Sequence, residues 1–227
     1  MALAYMKKYR DRYDVIVAQY FSHEEELLSL KEETGGKVIP YQADLSDPEE
    51  VKGLISFLQD TKRMPGYILH CPAGKVQQMR LEEFDPEALE KEMQIEVYSI
   101  MALLKEISVP MQEAQFGRIC FVLSSVTESP VAYQSPYVIT KHALLGAMKA
   151  LSAELIAKKI TVNAVSPSMT ETKFIEDASP FVKKKALSAS PLKRLAVPED
   201  IIDAMALFLS DQNEYITGEN LLIAGGS

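Results

Sequence analysis

The sequence predicts an α/β fold, doubly wound around a parallel sheet, and three observations carry that expectation. Short apolar runs at 38–42, 67–70, 118–123 and 160–165 have the length of buried strands. Longer amphipathic stretches follow them, from about Pro48 and at 86–113 and 137–158, which is the alternation that strands and crossover helices produce. With 227 residues, 47% of them hydrophobic, the chain can bury a full core, and 1–227 reads as one domain.

From the N-terminus, residues 1–13 read as a helix with Leu3, Met6, Tyr9 and Tyr13 inward and Lys7, Lys8, Arg10 and Asp11 outward. Residues 14–19 form a short buried strand, and Ser22 with Glu25 three residues on has the capping-box pattern of a helix reaching about Lys31. The strand at 38–42 ends in Ala43-Asp44-Leu45-Ser46, where Asp44 or Ser46 has the chemistry to cap the helix that starts near Pro48. His70, on the strand at 67–70, reads as a satisfied core residue. A long amphipathic helix covers 86–113, and the strand at 118–123 delivers Ser124 and Ser125 at its tip. Pro136 fits the first turn of the helix at 137–158, where a missing N–H costs nothing, and Ala143, Gly146, Ala147 and Ala150 on that helix let a second helix approach. A strand at 160–165, a helix at 198–209 and a strand at 220–224 complete the chain.

Composition narrows the partners. A net charge of −8 and the absence of any run rich in lysine and arginine argue against nucleic acid or an anionic membrane. Residues 1–9, interrupted by Lys7 and Lys8, are too short for a secretory signal, and no apolar run approaches the ~20 residues of a membrane helix, so a cytoplasmic protein is expected. Cys71 and Cys120 lie in separate apolar segments without metal-ligand spacing and read as buried free thiols. Between 171 and 194 stand Lys173, Lys183, Lys184, Lys185, Lys193 and Arg194, a pattern that a solvated helix face explains and that would also suit an acidic carrier.

The chemistry concentrates at Tyr137 and Lys141, four apart on one helix and therefore on one face. An ammonium beside a phenol stabilises the phenolate and draws its pKa down from ~10, which makes the phenol a usable proton donor. A serine hydroxyl at the strand tip would orient a substrate carbonyl. By its spacing from Tyr137 that serine is Ser124; by the local serine pair it is Ser125.

Together with Ile160-Thr161-Val162-Asn163-Ala164-Val165-Ser166-Pro167, Tyr215-Ile216-Thr217-Gly218-Glu219 and Gly225-Gly226, this constellation resembles the short-chain dehydrogenase/reductase family, and within it the 3-oxoacyl-(acyl carrier protein) reductases. The resemblance implies a Rossmann-like sheet, Ser124, Tyr137 and Lys141 as catalytic residues, and a nicotinamide cofactor bordered by Asp44, Leu45, Ala73, Gly74, Pro167 and Thr172. It also implies a mobile basic lid at 171–194 and a homodimer or homotetramer built on the helices at 86–113 and 137–158. No acidic residue stands at 19–22 to take ribose hydroxyls, which leans the cofactor towards NADP.

Four departures accompany the resemblance. The family's first strand and glycine-rich phosphate turn have no counterpart ahead of residues 1–13, so either the neighbouring strands close the gap or the sheet is built differently there. Cys71-Pro72 occupies the place of two asparagines, and Pro167-Ser168 that of Pro-Gly. Counting back from Gly117 puts Glu96 where the family keeps an asparagine, close enough to pair with Lys141, raise its pKa and blunt its pull on Tyr137. Two readings follow: an NADP-dependent carbonyl (3-oxoacyl) reductase, impaired in its cofactor binding, or a non-catalytic relative serving as a structural subunit or binding partner. A shortened version of a longer gene product is a third.

Overall fold

The structure is a computed structural model and describes residues 1–22, 24–74 and 76–226. It bears out the α/β expectation. Strand β1 (Ile16–Tyr20) pairs only with β2 (Val38–Gln42), while β3 (Tyr67–His70), β4 (Gly117–Val122), β5 (Ile160–Pro167) and β6 (Asn220–Ile223) form a second sheet in that order. Every pairing among them is parallel. No strand among the described residues joins β1 to β3, so the neighbours do not close the gap and β1–β2 stands as a separate ribbon.

Helices cover both faces of the larger sheet. On one side α3 (Pro48–Asp60), α5 (Ser99–Ala114) and α6 (Ser135–Leu155) press Leu54, Ile107, Leu144 and Met148 onto Ile119, Phe121 and Val162. On the other, α1 (Ala2–Tyr9) and α8 (Pro198–Phe208) set Tyr5, Ile201 and Met205 against Cys120, Val122 and Val165. The ribbon has its own small core, in which Met6 of α1 meets Ala18, Val38 and Leu27 and Leu30 of α2 (Glu25–Glu33). Adjacent residues of α1 therefore belong to different cores, and this helix ties the two sheets together.

Several local expectations are corrected. Met6 is buried and Leu3, Tyr9 and Tyr13 pack half-buried against the cores as expected, but Tyr5 is buried as well, and it shares a short hydroxyl–hydroxyl hydrogen bond with Tyr13, whose ring meets Tyr67 edge-on at 5.1 Å. Ser22 is not the cap of α2, because Glu24 holds that position with no side-chain bond. Helix α3 is capped by Asp47, whose Oδ1 accepts from the Glu49 N–H at 2.8 Å, and not by Asp44 or Ser46. Cys71 is only half-buried, whereas Cys120 is buried as expected, and both thiols are free.

Strand β4 starts at Gly117 for a steric reason. A Cβ there would stand 2.9 Å from both Ile160 Cγ2 and Met111 Sδ, closer than packed atoms tolerate. Gly117→Ala is expected to cost about 1–3 kcal/mol by overpacking, measured as a lower urea midpoint. Next to it Arg118 is buried and uses its guanidinium on the carbonyls of Gly117, Lys159, Ser210 and Asp211, fastening the segment after α8 to the bottom of the sheet.

Candidate active site

The candidate site lies where β4 ends and α6 begins. Asp85 opens α4 (Pro86–Met93) by accepting from the Glu87 N–H at 3.0 Å, with Pro86 in the first turn. The helix then widens into a π-helical turn over Gln94–Tyr98 before α5 resumes. Such turns free a backbone group from its regular partner, and here the Glu96 carbonyl takes a bond from His70 Nε2 at 2.7 Å. Burial pushes the His70 imidazole down to about 3, so the ring is neutral and Nε2 carries the donated proton. His70 is a satisfied core residue, as its sequence context predicts.

The π turn aims the Glu96 side chain at α6. Its Oε2 lies 2.6 Å from Lys141 Nζ, and the two side chains are 0% and 2% exposed. Lys141 Nζ also donates to the Val122 carbonyl at 3.2 Å and sits 5.6 Å from the centroid of the Tyr137 ring. The pairing expected from the count back from Gly117 is present.

The charge balance follows from this geometry. Burial alone disfavours the Lys141 ammonium, but the charge and hydrogen bond of Glu96, with help from Tyr137, outweigh it and hold Lys141 above the ordinary lysine value. Burial raises the Tyr137 phenol; Lys141 and then Ser124 pull it back, Glu96 and Glu92 push further, and the phenol stays above its usual value. Glu96 thus cancels part of the activation that Lys141 would give.

Ser124 is the serine at the phenol. It is buried, its Oγ accepts from the Val126 N–H at 3.3 Å, and its hydroxyl acts on Tyr137, while Ser125 opens a short 3-10 turn, Ser125–Thr127. Across from them Phe174 tilts over the Tyr137 ring at 6.3 Å, and Lys173 beside it pairs with Glu26 of α2 at 2.7 Å. The other basic side chains at 171–194 divide between solvent and local bonds, including Arg194 on Asp200.

The positions named for the cofactor do not converge in the same way. Leu45 packs its side chain into the core with Val51 and Leu54, which leaves its backbone to meet a ligand. The Asp44 carboxylate is tied into its own turn, its Oδ1 accepting from the N–H and hydroxyl of Ser46 at 2.8 and 2.7 Å. Pro167 is buried at the end of β5, Thr172 Oγ1 donates to the Thr170 carbonyl at 3.4 Å, Ala73 is exposed, and Gly74 lies against Glu92. The first glycine of the chain is Gly35, and no described segment offers a glycine-rich turn of N–H donors for a pyrophosphate. Among the described residues these positions do not converge into a full dinucleotide cradle.

Sequence reasoning missed Glu92. It stands in Glu87-Ala88-Leu89-Glu90-Lys91-Glu92, which reads as a solvated face, yet Glu92 is 6% exposed. The available signal was its place four residues before Glu96.

Comparison with known proteins agrees with the architecture. The sequence family described as Enoyl-(Acyl carrier protein) reductase matches residues 4–227. The 3-oxoacyl-[acyl-carrier-protein] reductase FabG of Rickettsia conorii is 30% identical over 205 residues, covering 90% of this chain and 83% of the relative. YwfH, an NADPH dependent reductase involved in bacilysin biosynthesis, superposes with a TM-score of 0.86 at 23% identity, covering 100% of this chain and 92% of its own. A 4-hydroxyisoleucine dehydrogenase complexed with NADH and succinate gives 0.87 at 23% identity, over 98% of this chain and 93% of its own. These last two show the fold, and the sequence matches show more: the chain belongs to the short-chain dehydrogenase/reductase family.

Proposed function

We propose that the chain is a carbonyl reductase of the 3-oxoacyl type, using NADP, whose proton-donating half is assembled and whose cofactor-holding half is impaired in these 227 residues. The observation that carries the reading is the meeting of Ser124, Tyr137 and Lys141 in one buried place at the tips of the sheet. Ser124 orients a carbonyl oxygen, Tyr137 gives it a proton, and Lys141 stabilises the phenolate left behind. The name of the Rickettsia relative supports an acyl-carrier-linked substrate. The side chains at 19–22, Gln19, Tyr20, Phe21 and Ser22, carry no acid, which favours NADP over NAD.

A non-catalytic role has one observation in its favour: Glu96 neutralises Lys141 and the phenol is raised, not lowered. Reduction of a 3-oxoacyl thioester at millimolar NADPH separates the two. Slow turnover is expected, and Tyr137→Phe should reduce it about 10²–10⁴-fold, the range of positioned acid catalysis. No turnover at any NADPH concentration supports the non-catalytic reading.

Assembly belongs to the same reading. On α5 and α6 the side chains of Met101, Val109 and Ile139 stay exposed, and a Cβ on Gly146 would meet nothing within 4 Å in a single chain. An apolar face of this kind is what a dimer covers. Light scattering should give at least a dimer, and Gly146→Glu should return it to a monomer; an unchanged assembly would place the interface elsewhere.

A further inference from the structure

Two strand edges face each other across the division of the sheet, and the ladders show which groups they present. In β1 the Ile16 N–H donates to the Lys37 carbonyl at 3.0 Å and the Tyr20 carbonyl accepts from the Ala43 N–H at 2.9 Å, so in this parallel register Ile16, Ala18 and Tyr20 turn their main-chain groups to β2. Those of Val17 and Gln19 point the other way. In β3 the Gly66 carbonyl accepts from the Arg118 N–H at 2.9 Å, which turns the main chain of Ile68 to β4 and that of Tyr67 and Leu69 to the opposite edge. Among the described residues no hydrogen bond takes up the main-chain groups of Val17, Gln19, Tyr67 or Leu69.

One helix spans both edges. Tyr5 of α1 lies in the core of the larger sheet and Met6 in that of the ribbon, while Tyr13, just ahead of β1, sets its ring on Tyr67 of β3. A helix is about 10 Å across, and a strand laid between two others needs two spacings of ~4.8 Å. Water reaches both edges, because β1 and β3 are half-buried over most of their length, where β4 and β5 are buried throughout. The faces above and below are apolar. Val17 and Ile68 border the core under α3, α5 and α6, and Ile16, Tyr67 and Leu69 border the two cores that α1 joins.

We propose that the facing edges of β1 and β3 are a docking site for a short, extended, apolar segment of another polypeptide, which enters as an intervening strand and pairs on both sides. The lining sets the chemistry of the occupant. Two rows of main-chain donors and acceptors at strand spacing are complementary to an extended main chain. Side chains that point alternately into two apolar cores must be apolar without alternation, and a charge among them would be buried unpaired. Five residues match the length of β1.

Amide hydrogen exchange of the 227-residue chain tests the site with the peptide acetyl-Lys-Lys-Val-Ile-Val-Ile-Val-Lys-Lys-amide, whose lysines stay beyond the ends of the edges. In the free chain the amides of Val17, Gln19, Tyr67 and Leu69 should exchange at least about tenfold faster than those of Ile16, Ala18 and Ile68, which the ladders hold. Millimolar peptide should remove that alternation. The same peptide with proline at the second and fourth of its five apolar positions lacks the donors for one edge and should bind at least about tenfold more weakly. Val17→Pro should weaken binding of the first peptide similarly, since the N–H it removes is not part of the ladder to β2. If Val17→Pro does not fold, the proline peptide makes the same comparison. Exchange without alternation in the free chain, alternation that persists at millimolar peptide, or equal affinity for the two peptides overturns the proposal. Protection of the four amides that grows with protein concentration alone also overturns it, because a second copy of the chain is then the occupant.

Discussion

Calorimetric titration of the 227-residue chain with NADPH is expected to give binding no tighter than the millimolar range. A dinucleotide pyrophosphate is anionic, and each charge-assisted hydrogen bond from a backbone N–H is worth roughly 1.5–3 kcal/mol. Two or three such bonds missing amount to about a thousandfold or more in affinity, at ~1.4 kcal/mol per factor of ten. Two of the positions named for the cofactor are also occupied within the chain. Leu45 faces the core and the Asp44 carboxylate already has the N–H and hydroxyl of Ser46. Micromolar binding would show that other backbone donors serve, and would leave the Glu96–Lys141 pair as the only brake on catalysis.

Much of this was legible in the chain because it depends on local periodicity or on counting. The Tyr137 and Lys141 spacing survives any change in packing, since α6 is a regular helix entered at Pro136. The Glu96–Lys141 contact was reached by counting back from Gly117. Other features depend on neighbours far away in the chain. Asp44, Ser46 and Asp47 are equivalent caps by residue type, and only the path of the backbone selects Asp47. Tyr5 has no fixed side in the helical pattern of residues 1–13, and its burial against Cys120 arises only when α1 docks on the sheet. Glu92 was hidden because a run of charged residues reads as solvated until the packing of α4 on α6 buries one of them. The separation of the ribbon was left open from sequence because pairing across a gap is a tertiary event.

Replacing Lys141 with methionine should have the largest effect on stability. Lys141→Met removes the cation that pairs with Glu96 among the described residues, and the Glu96 carboxylate is 0% exposed. Breaking a buried pair by removing one partner typically costs about 3–5 kcal/mol, because the remaining charge stays desolvated. That is a large share of the ~5–15 kcal/mol by which domains are stable. The double variant Lys141→Met/Glu96→Leu removes both charges and should recover most of the loss, since a buried pair exchanged for apolar side chains is often near neutral. Urea denaturation of both variants checks the argument: a single variant as stable as the parent would mean that Glu96 picks up a proton at little cost. Stability should also depend on pH through Glu92. A carboxyl with a folded pKa of about 7, above its unfolded value, binds a proton on folding, so its contribution is full below the ordinary carboxylate range and is lost as pH rises to about 7.

The division of the sheet has a consequence for how the molecule breathes. The β1–β2 ribbon is a two-stranded unit with a small core of Met6, Ala18, Leu27, Leu30 and Val38 and only the half-buried Val17 and Tyr41 against the main core, whereas β4 and β5 are buried along their whole length under helices on both faces. Two strands with one small core are marginal alone. Hydrogen exchange is therefore expected to run through a sub-global opening of lower free energy for the amides of β1 and β2 than for those of β4 and β5, which should exchange only when the whole molecule unfolds. On that expectation the segment that carries Asp44 opens and closes while the Glu96–Lys141 pair, 0% and 2% exposed, stays shut away from water.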